Sequence, residues 1–232
     1  MKPKSDLEKF QELLINWISS VVKPEDAANP DAYTSEELTL IDSVFRRFTE
    51  LTDAVDRLDL CLTFIKGRAP RRKDLKLYDY LMYHLTFYIQ EVYILNERME
   101  SYAKTILRLR KKRGLPAAKD RYDSLLESVR LPLSQIVFAR GSHVHDRAFN
   151  DERMRELSMF SFLAVHAAEK PEWSQMAKDL YRASKATWIE QLTANRKAIS
   201  TLLDQYCKAL LPEVAELLPN NSFKPKPLRG SA

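Results

Sequence analysis

The sequence predicts an all-α protein, a bundle of about six helices with several of them long. Three observations lead there. Apolar residues recur in alternating steps of three and four along most of the chain, the spacing that lines one face of a helix. Only 4 glycines occur in 232 residues, too few for the special backbone positions of a Rossmann domain, a P-loop or a Gly-rich β-sandwich. Apolar/polar alternation of the kind that marks a strand is confined to short fragments.

The elements follow in order. Leu7, Phe10, Leu14, Trp17 and Val21 form the first stripe, which stops before Pro24. Thr34-Ser35-Glu36-Glu37 reads as a capping box opening a second helix. Its stripe is Ile41, Val44, Phe48, Leu51, Val55, Leu58, Leu62 and Ile65, with Gly67 as the stop. Asp74 caps a third helix that runs to about Arg113, roughly 50 Å. Tyr78, Leu81, Leu85, Tyr88, Val92, Leu95, Met99, Tyr102, Ile106 and Leu109 are its stripe. Its first half is apolar on other faces too, at Met82, Phe87, Ile89 and Ile94, which implies cover on several sides, by the bundle or by a second chain. Gly114 and Pro116 end it. A fourth helix starts near Asp120 and carries Leu126, Val129, Leu133 and Ile136; Pro132 is a potential kink, and Gly141 is expected to break it. Asn150 opens a fifth, with Met154, Leu157, Ser161 and Ala164. The sixth spans about Glu172 to Leu211, through Trp188, Leu192, Ile199, Leu202 and Tyr206, with Asn195 also in a core register. Residues 1–218 are expected to form one domain, and the Pro- and Lys-rich stretch 219–232 a disordered tail.

Composition narrows the function. Gly-x-Gly-x-x-Gly, Gly-x4-Gly-Lys, His-Glu-x-x-His, Gly-x-Ser-x-Gly and Cys-x-x-Cys are all missing, which removes most common enzyme classes. Cys61 and Cys207 lie far apart in apolar helical runs and read as buried thiols in a reducing cytoplasm. Residues 1–6 lack the apolar stretch of a secretory signal, and no uninterrupted apolar run of about 18 residues predicts a membrane span. A formal net charge of +5 is compatible with a polyanionic partner.

Chemistry concentrates in Arg140-Gly141-Ser142-His143-Val144-His145-Asp146-Arg147. The stripe Leu126, Val129, Leu133, Ile136 continues to Arg140, so a guanidinium takes the next core-facing position and needs an anion or carbonyl there. Gly141 is expected to turn the chain sharply and set His143, His145 and Arg147 on the turn. Two guanidiniums and two imidazoles suit a phosphate diester: imidazoles move protons near neutral pH, and guanidiniums steady the charge of a pentacoordinate transition state. Two other readings stand beside this one. Arg140 can bond helix C-terminal carbonyls, with the histidines solvated. His143, His145 and Asp146 can be metal ligands, although no further ligand cluster is evident to complete a cage, and no cofactor is expected. His84, flanked by Tyr80 and Tyr88, reads as a hydrogen-bonded core histidine, and His166 as a residue facing water or a helix dipole.

A second basic run, Arg108, Arg110, Lys111, Lys112 and Arg113, with Lys119 and Arg121 beyond the Gly114 turn, is either a solvated turn or a phosphate-backbone footprint. The aromatics Tyr78, Tyr83, Phe87 and Tyr93 are expected in core or dimer packing rather than base stacking, because they lie on a helix.

Arg-x4-His at a helix end inside an all-α bundle, here Arg140 to His145, resembles the HEPN superfamily. The resemblance implies a helical bundle of the kind that often acts as a metal-independent ribonuclease in toxin–antitoxin and defence systems. There the Arg and His of two protomers meet in one cleft of a homodimer. It implies that Arg140 binds or polarises the scissile phosphate and that His145 is the general acid/base for attack by a ribose 2′-OH. Ser142, His143 and Arg147 would support them. Single-stranded RNA, a second copy, and an antitoxin or other protein are the partners expected on this reading. Where that family often has Asn, Asp or His directly after the Arg, this chain has Gly141. The alternative function is a non-catalytic helical module for protein–protein interaction.

Overall fold

In a computed structural model, described at residues 3–23, 25, 30–68, 72, 75–117, 119–145, 152–167 and 169–218 (backbone only at 30 and 135–145), the chain is all-helical. Among the described residues there is no strand. The helices are α1 (Asp6–Val21), α2 (Ser35–Leu40), α3 (Arg47–Lys66), α4 (Leu77–Lys112), α5 (Lys119–His145), α6 (Glu152–His166) and α7 (Pro171–Ala215). A π-helical segment, Ile41–Arg46, joins α2 to α3, so the chain runs helically from Ser35 to Lys66. Counted that way, six helical rods match the six stripes read from the sequence. A short 3-10 turn, Pro30–Ala32, precedes α2.

Local signals explain the boundaries. The Thr34 side chain accepts from the Glu37 amide, and the Glu37 carboxylate accepts from Thr34 N, which completes the expected capping box. Ser5 and Glu8 build an equivalent box at α1. Gly114 ends α4 in the left-handed region, at φ 68°. There Gly114 N donates to Lys111 O at 3.1 Å and Leu115 N to Arg110 O at 3.0 Å, the paired bonds of a Schellman motif. At the end of α3, a Cβ on Gly67 would meet Phe64 O at 3.1 Å. The carbonyls there take bonds from outside the helix: Tyr80 Oη donates to Phe64 O at 3.0 Å, and Lys185 Nζ to Lys66 O at 3.2 Å. The expected caps Asp74 and Asn150 and the tail 219–232 lie outside the described residues.

Two expected ends are corrected. α5 does not break at Gly141 but continues to His145. A glycine inside a helix costs about 1 kcal/mol relative to alanine, which a long cooperative helix absorbs. α7 does not stop at Leu211 but passes Pro212 to Ala215. Pro212 removes one backbone donor, and the turn beyond it is held by side chains from α4, described below.

The contacts group the chain into two compact units. Unit 1 comprises residues 1–51, 98–129 and 200–232, and unit 2 residues 52–97 and 130–199. In unit 1, Phe10, Phe48 and Tyr102 pack ring on ring, with centroids 4.8 Å apart for Phe10–Phe48 and 6.0 Å for Phe48–Tyr102. Trp17, Leu51, Ile106, Val129, Leu203 and Leu210 are buried in the same unit. Tyr206 Oη donates to Met99 O at 2.7 Å, and Leu7 N donates to Asp204 Oδ1 at 2.9 Å, which caps α1 from α7. In unit 2, Leu58, Cys61 and Ile65 of α3 and Leu81, Leu85, Tyr88 and Val92 of α4 are buried. Ion pairs flank that core: Arg57 Nε to Glu91 Oε2 at 2.9 Å, and Arg196 Nη2 to Asp59 Oδ2 at 2.8 Å.

Gly114→Ala is expected to destabilise the protein by about 1–2 kcal/mol, because only the left-handed backbone resists the methyl group and no atom lies in its way. Gly114→Asn should cost less. Urea unfolding of the two variants checks the order.

Candidate functional site

The structure places Arg140, Ser142, His143 and His145 in the last two turns of α5, on helical backbone rather than on a turn. Only their backbone is described, and Arg147 and Asp146 lie outside the described residues. The helix changes the spacing argument. Positions 140 and 143 fall one turn apart on neighbouring rows, while 145 lies about 140° around the axis from 140.

The second basic run divides sharply. Arg108, Lys111 and Lys112 are exposed. Arg110 is buried, with 3% of its surface exposed, and is committed to the protein's own acceptors. Its Nε and Nη2 donate to Pro116 O at 2.9 and 2.7 Å, its Nη1 to Glu213 O at 2.9 Å, and its Nη2 to Glu216 Oε2 at 2.7 Å. The Glu213 carboxylate lies 2.6 Å from Nε. Glu213 is itself buried and also accepts from Arg121 Nη1 at 3.0 Å and Tyr122 Oη at 3.3 Å. Arg113 pairs with Glu36 and donates to Leu217 O. Arg110 and Arg113 are therefore structural cations, and the phosphate-backbone set shrinks to Arg108, Lys111 and Lys112. Arg110 stands four residues after Ile106 and Glu213 three after Leu210, both at helical spacing from buried residues, but Leu109 holds the stripe position in α4 and Glu213 lies past the expected helix end at Leu211, so the pairing was not legible.

His84 is not a buried core histidine. It sits half-exposed in unit 2 among aromatic rings: Phe64 stacks on it at 5.5 Å, and Tyr80 and Tyr83 meet it edge-on at 4.7 and 5.3 Å. Desolvation holds its pKa below the ordinary histidine value of 6.5. His166 packs against Phe162 at 4.2 Å. Cys61 and Cys207 are buried and unbridged. Burial, with Glu91 adding to it, pushes the Cys61 thiol up to about 12, and burial near Asp204 pushes Cys207 up to about 12. Neither is a thiolate nucleophile near neutral pH.

Surface cavities are present among the described residues. One, of about 480 Å³, lies between α6 and α7 in unit 2, lined by Glu152, Arg153, Glu156, Ser184, Thr187 and Trp188. Arg153 Nη1 donates there to Thr187 Oγ1 at 3.1 Å. Another, of about 260 Å³, lies in unit 1 beside Arg121 and Tyr206. Among the described residues no group of three His, Cys, Asp or Glu side chains is arranged to hold a metal ion, and no helix is long and apolar enough to cross a membrane.

Compared with known proteins, the chain matches no family model, no curated protein and no solved structure.

Two outcomes are expected. Arg110→Ala leaves a buried carboxylate without its main partner and should cost about 3–5 kcal/mol in chemical denaturation, whereas Lys111→Ala should change stability by less than about 0.5 kcal/mol. The depressed His84 pKa means that the unfolded chain binds the proton more tightly. The contribution of His84 is thus complete above its unfolded pKa and is lost as pH falls through that value to the folded one. Unfolding midpoints between about pH 7 and pH 5 should fall more steeply for the native protein than for His84→Gln.

Proposed function

We propose that this chain is a HEPN-like protein that binds single-stranded RNA and cleaves it without a metal ion, as a cytoplasmic homodimer of the toxin or defence type. The observation that supports this most is the helical continuation of α5 to His145. It sets one arginine position beside one histidine position, 140 and 143, and turns the other histidine position, 145, to a different side. Two copies related by a two-fold axis could then offer Arg140 of one to His145 of the other, the arrangement that the family resemblance implies.

In the reaction, His145 takes the proton of a ribose 2′-OH as its oxygen attacks the adjacent phosphorus. Arg140 binds the non-bridging oxygens, where negative charge grows. The P–O5′ bond breaks, the leaving 5′-oxygen is protonated, and the products are a 2′,3′-cyclic phosphate and a 5′-hydroxyl. His143, Ser142 and Arg147 support the two principal residues, and Arg108, Lys111 and Lys112 are the remaining candidates for backbone phosphates. An antitoxin or another protein would complete the system as partner.

A second reading, a non-catalytic helical interaction module, is favoured by one observation: large apolar side chains stand exposed in unit 2, among them Leu60, Phe64, Tyr83, Leu131, Met159 and Phe162.

The test is incubation of the purified protein with single-stranded RNA in EDTA. Cleavage should leave 2′,3′-cyclic ends and spare DNA, which lacks the nucleophile. His145→Ala should lose about 10²–10⁴-fold in rate with helicity intact, and Arg140→Ala should lose activity as well. If RNA is neither bound nor cut, and both substitutions are silent, the interaction module is the better account.

A further inference from the structure

Exposed apolar surface is unevenly divided between the two units. Among the described residues, Ile15 and Leu38 are the large hydrophobic side chains exposed in unit 1, and the other nine such residues belong to unit 2. Four of those nine share one face. Leu60 and Phe64 stand one turn apart on α3, each 50% exposed. Tyr83 and Phe87 stand one turn apart on α4, exposed by 69% and 37%. His84 joins the two rows, stacked on Phe64 at 5.5 Å and edge-on to Tyr83 at 5.3 Å. Tyr80 closes the cluster, with its ring 4.7 Å from His84 and its hydroxyl bonded to Phe64 O. The hydrogen bond and the ring contacts hold Phe64, Tyr80, Tyr83 and His84 in place in the single chain, so these four lose little entropy on docking.

We propose that this α3–α4 face around His84 is the surface through which two copies of the chain associate; the proposal rests on the dimeric part of the functional reading. Three features select a second copy as occupant. The six members carry no lysine, arginine, aspartate or glutamate, and the exposed Asp56 and Asp79 stand one turn away at the rim, so a two-fold axis brings uncharged side chains together at the centre. The centre of the face offers no cation to a nucleic-acid backbone. The exposed parts of the four apolar side chains amount to on the order of 500 Å². Pairing two such faces removes about 1,000 Å² from water, the lower bound for specific association. Two helices from each copy then pack as a four-helix layer, with aromatic anchors at its centre.

The test is sedimentation of the full chain over a concentration series up to tens of micromolar. The native protein should be dimeric at the top of the series. The double variant Phe64→Glu/Tyr83→Glu, which puts charges on both helices, should weaken dimerisation by at least about a hundredfold. Its far-UV circular dichroism should be unchanged, since both positions are exposed. Leu131→Glu, an exposed apolar position of unit 2 on α5, should leave the dimer intact. A native protein that stays monomeric overturns the proposal and assigns the face to a different polypeptide. A double variant that remains as dimeric as the native protein overturns it too, and puts the interface elsewhere. The RNA assay separates this from the catalytic reading. A dimer lost in the double variant, in a protein that never cuts RNA, keeps the interface and removes the nuclease. RNA cleavage by a double variant that is still dimeric does the reverse.

Discussion

The Arg110 guanidinium is the constraint on which unit 1 depends. Every one of its three nitrogens is engaged, and its acceptors come from two places far apart in sequence: the Pro116 carbonyl after the Gly114 turn, and the carboxylates and carbonyl at the end of α7. A buried ion pair of this kind adds little to net stability compared with apolar residues of the same volume, but it is costly to break. Its effect is therefore one of register. With Glu213 held by Arg110, Arg121 and Tyr122, the last turn of α7 survives Pro212, and Leu210, Val214, Leu217 and Leu218 are kept in the core. Arg113, donating to Leu217 O, meets the same need for positive charge at a helix C-terminus.

Unit 2 is organised differently. Its ion pairs, Arg57–Glu91 and Arg196–Asp59, retain solvent exposure on at least one partner, so their worth is modest. Among the described residues, buried hydroxyls without a hydrogen-bond partner occur in both units, Tyr88 Oη, Ser161 Oγ, Tyr181 Oη and Ser184 Oγ in this one and Tyr33 Oη and Tyr102 Oη in unit 1. Apolar side chains that a self-sufficient core would cover are left in solvent. A unit that leaves apolar side chains uncovered forgoes part of the burial that stabilises a core. The same unit carries the end of α5 with Arg140, His143 and His145. Most of the exposed large apolar side chains and the Arg140 to His145 positions thus fall in one unit.

Charge patterns deserve a different weight from apolar patterns in such a chain. Arg108, Arg110, Lys111, Lys112 and Arg113 form one basic run in the sequence, yet they serve at least two purposes. Exposed members are available to a polyanion, and buried or paired members neutralise carboxylates from other helices. The net charge of +5 therefore overstates what the run can offer to phosphate.

The sequence by itself determined the helices. Periodicity is a local property: each apolar stripe needs only its own neighbours to declare a face, so all eight stripe residues from Ile41 to Ile65 are buried, even across a π-helical turn that the pattern does not reveal. Capping was legible at Thr34 and Glu37 for the same reason. The candidate cluster at Arg140 to His145 was legible as a set of residue types, but its spacing was not, because helix continuation through Gly141 depends on the cooperativity of a whole helix rather than on one residue's preference. The tertiary structure alone decided which cations are internal and which helix ends are stable. Arg110 finds its partner 103 residues away, and no local pattern carries the energy of a contact made at that separation.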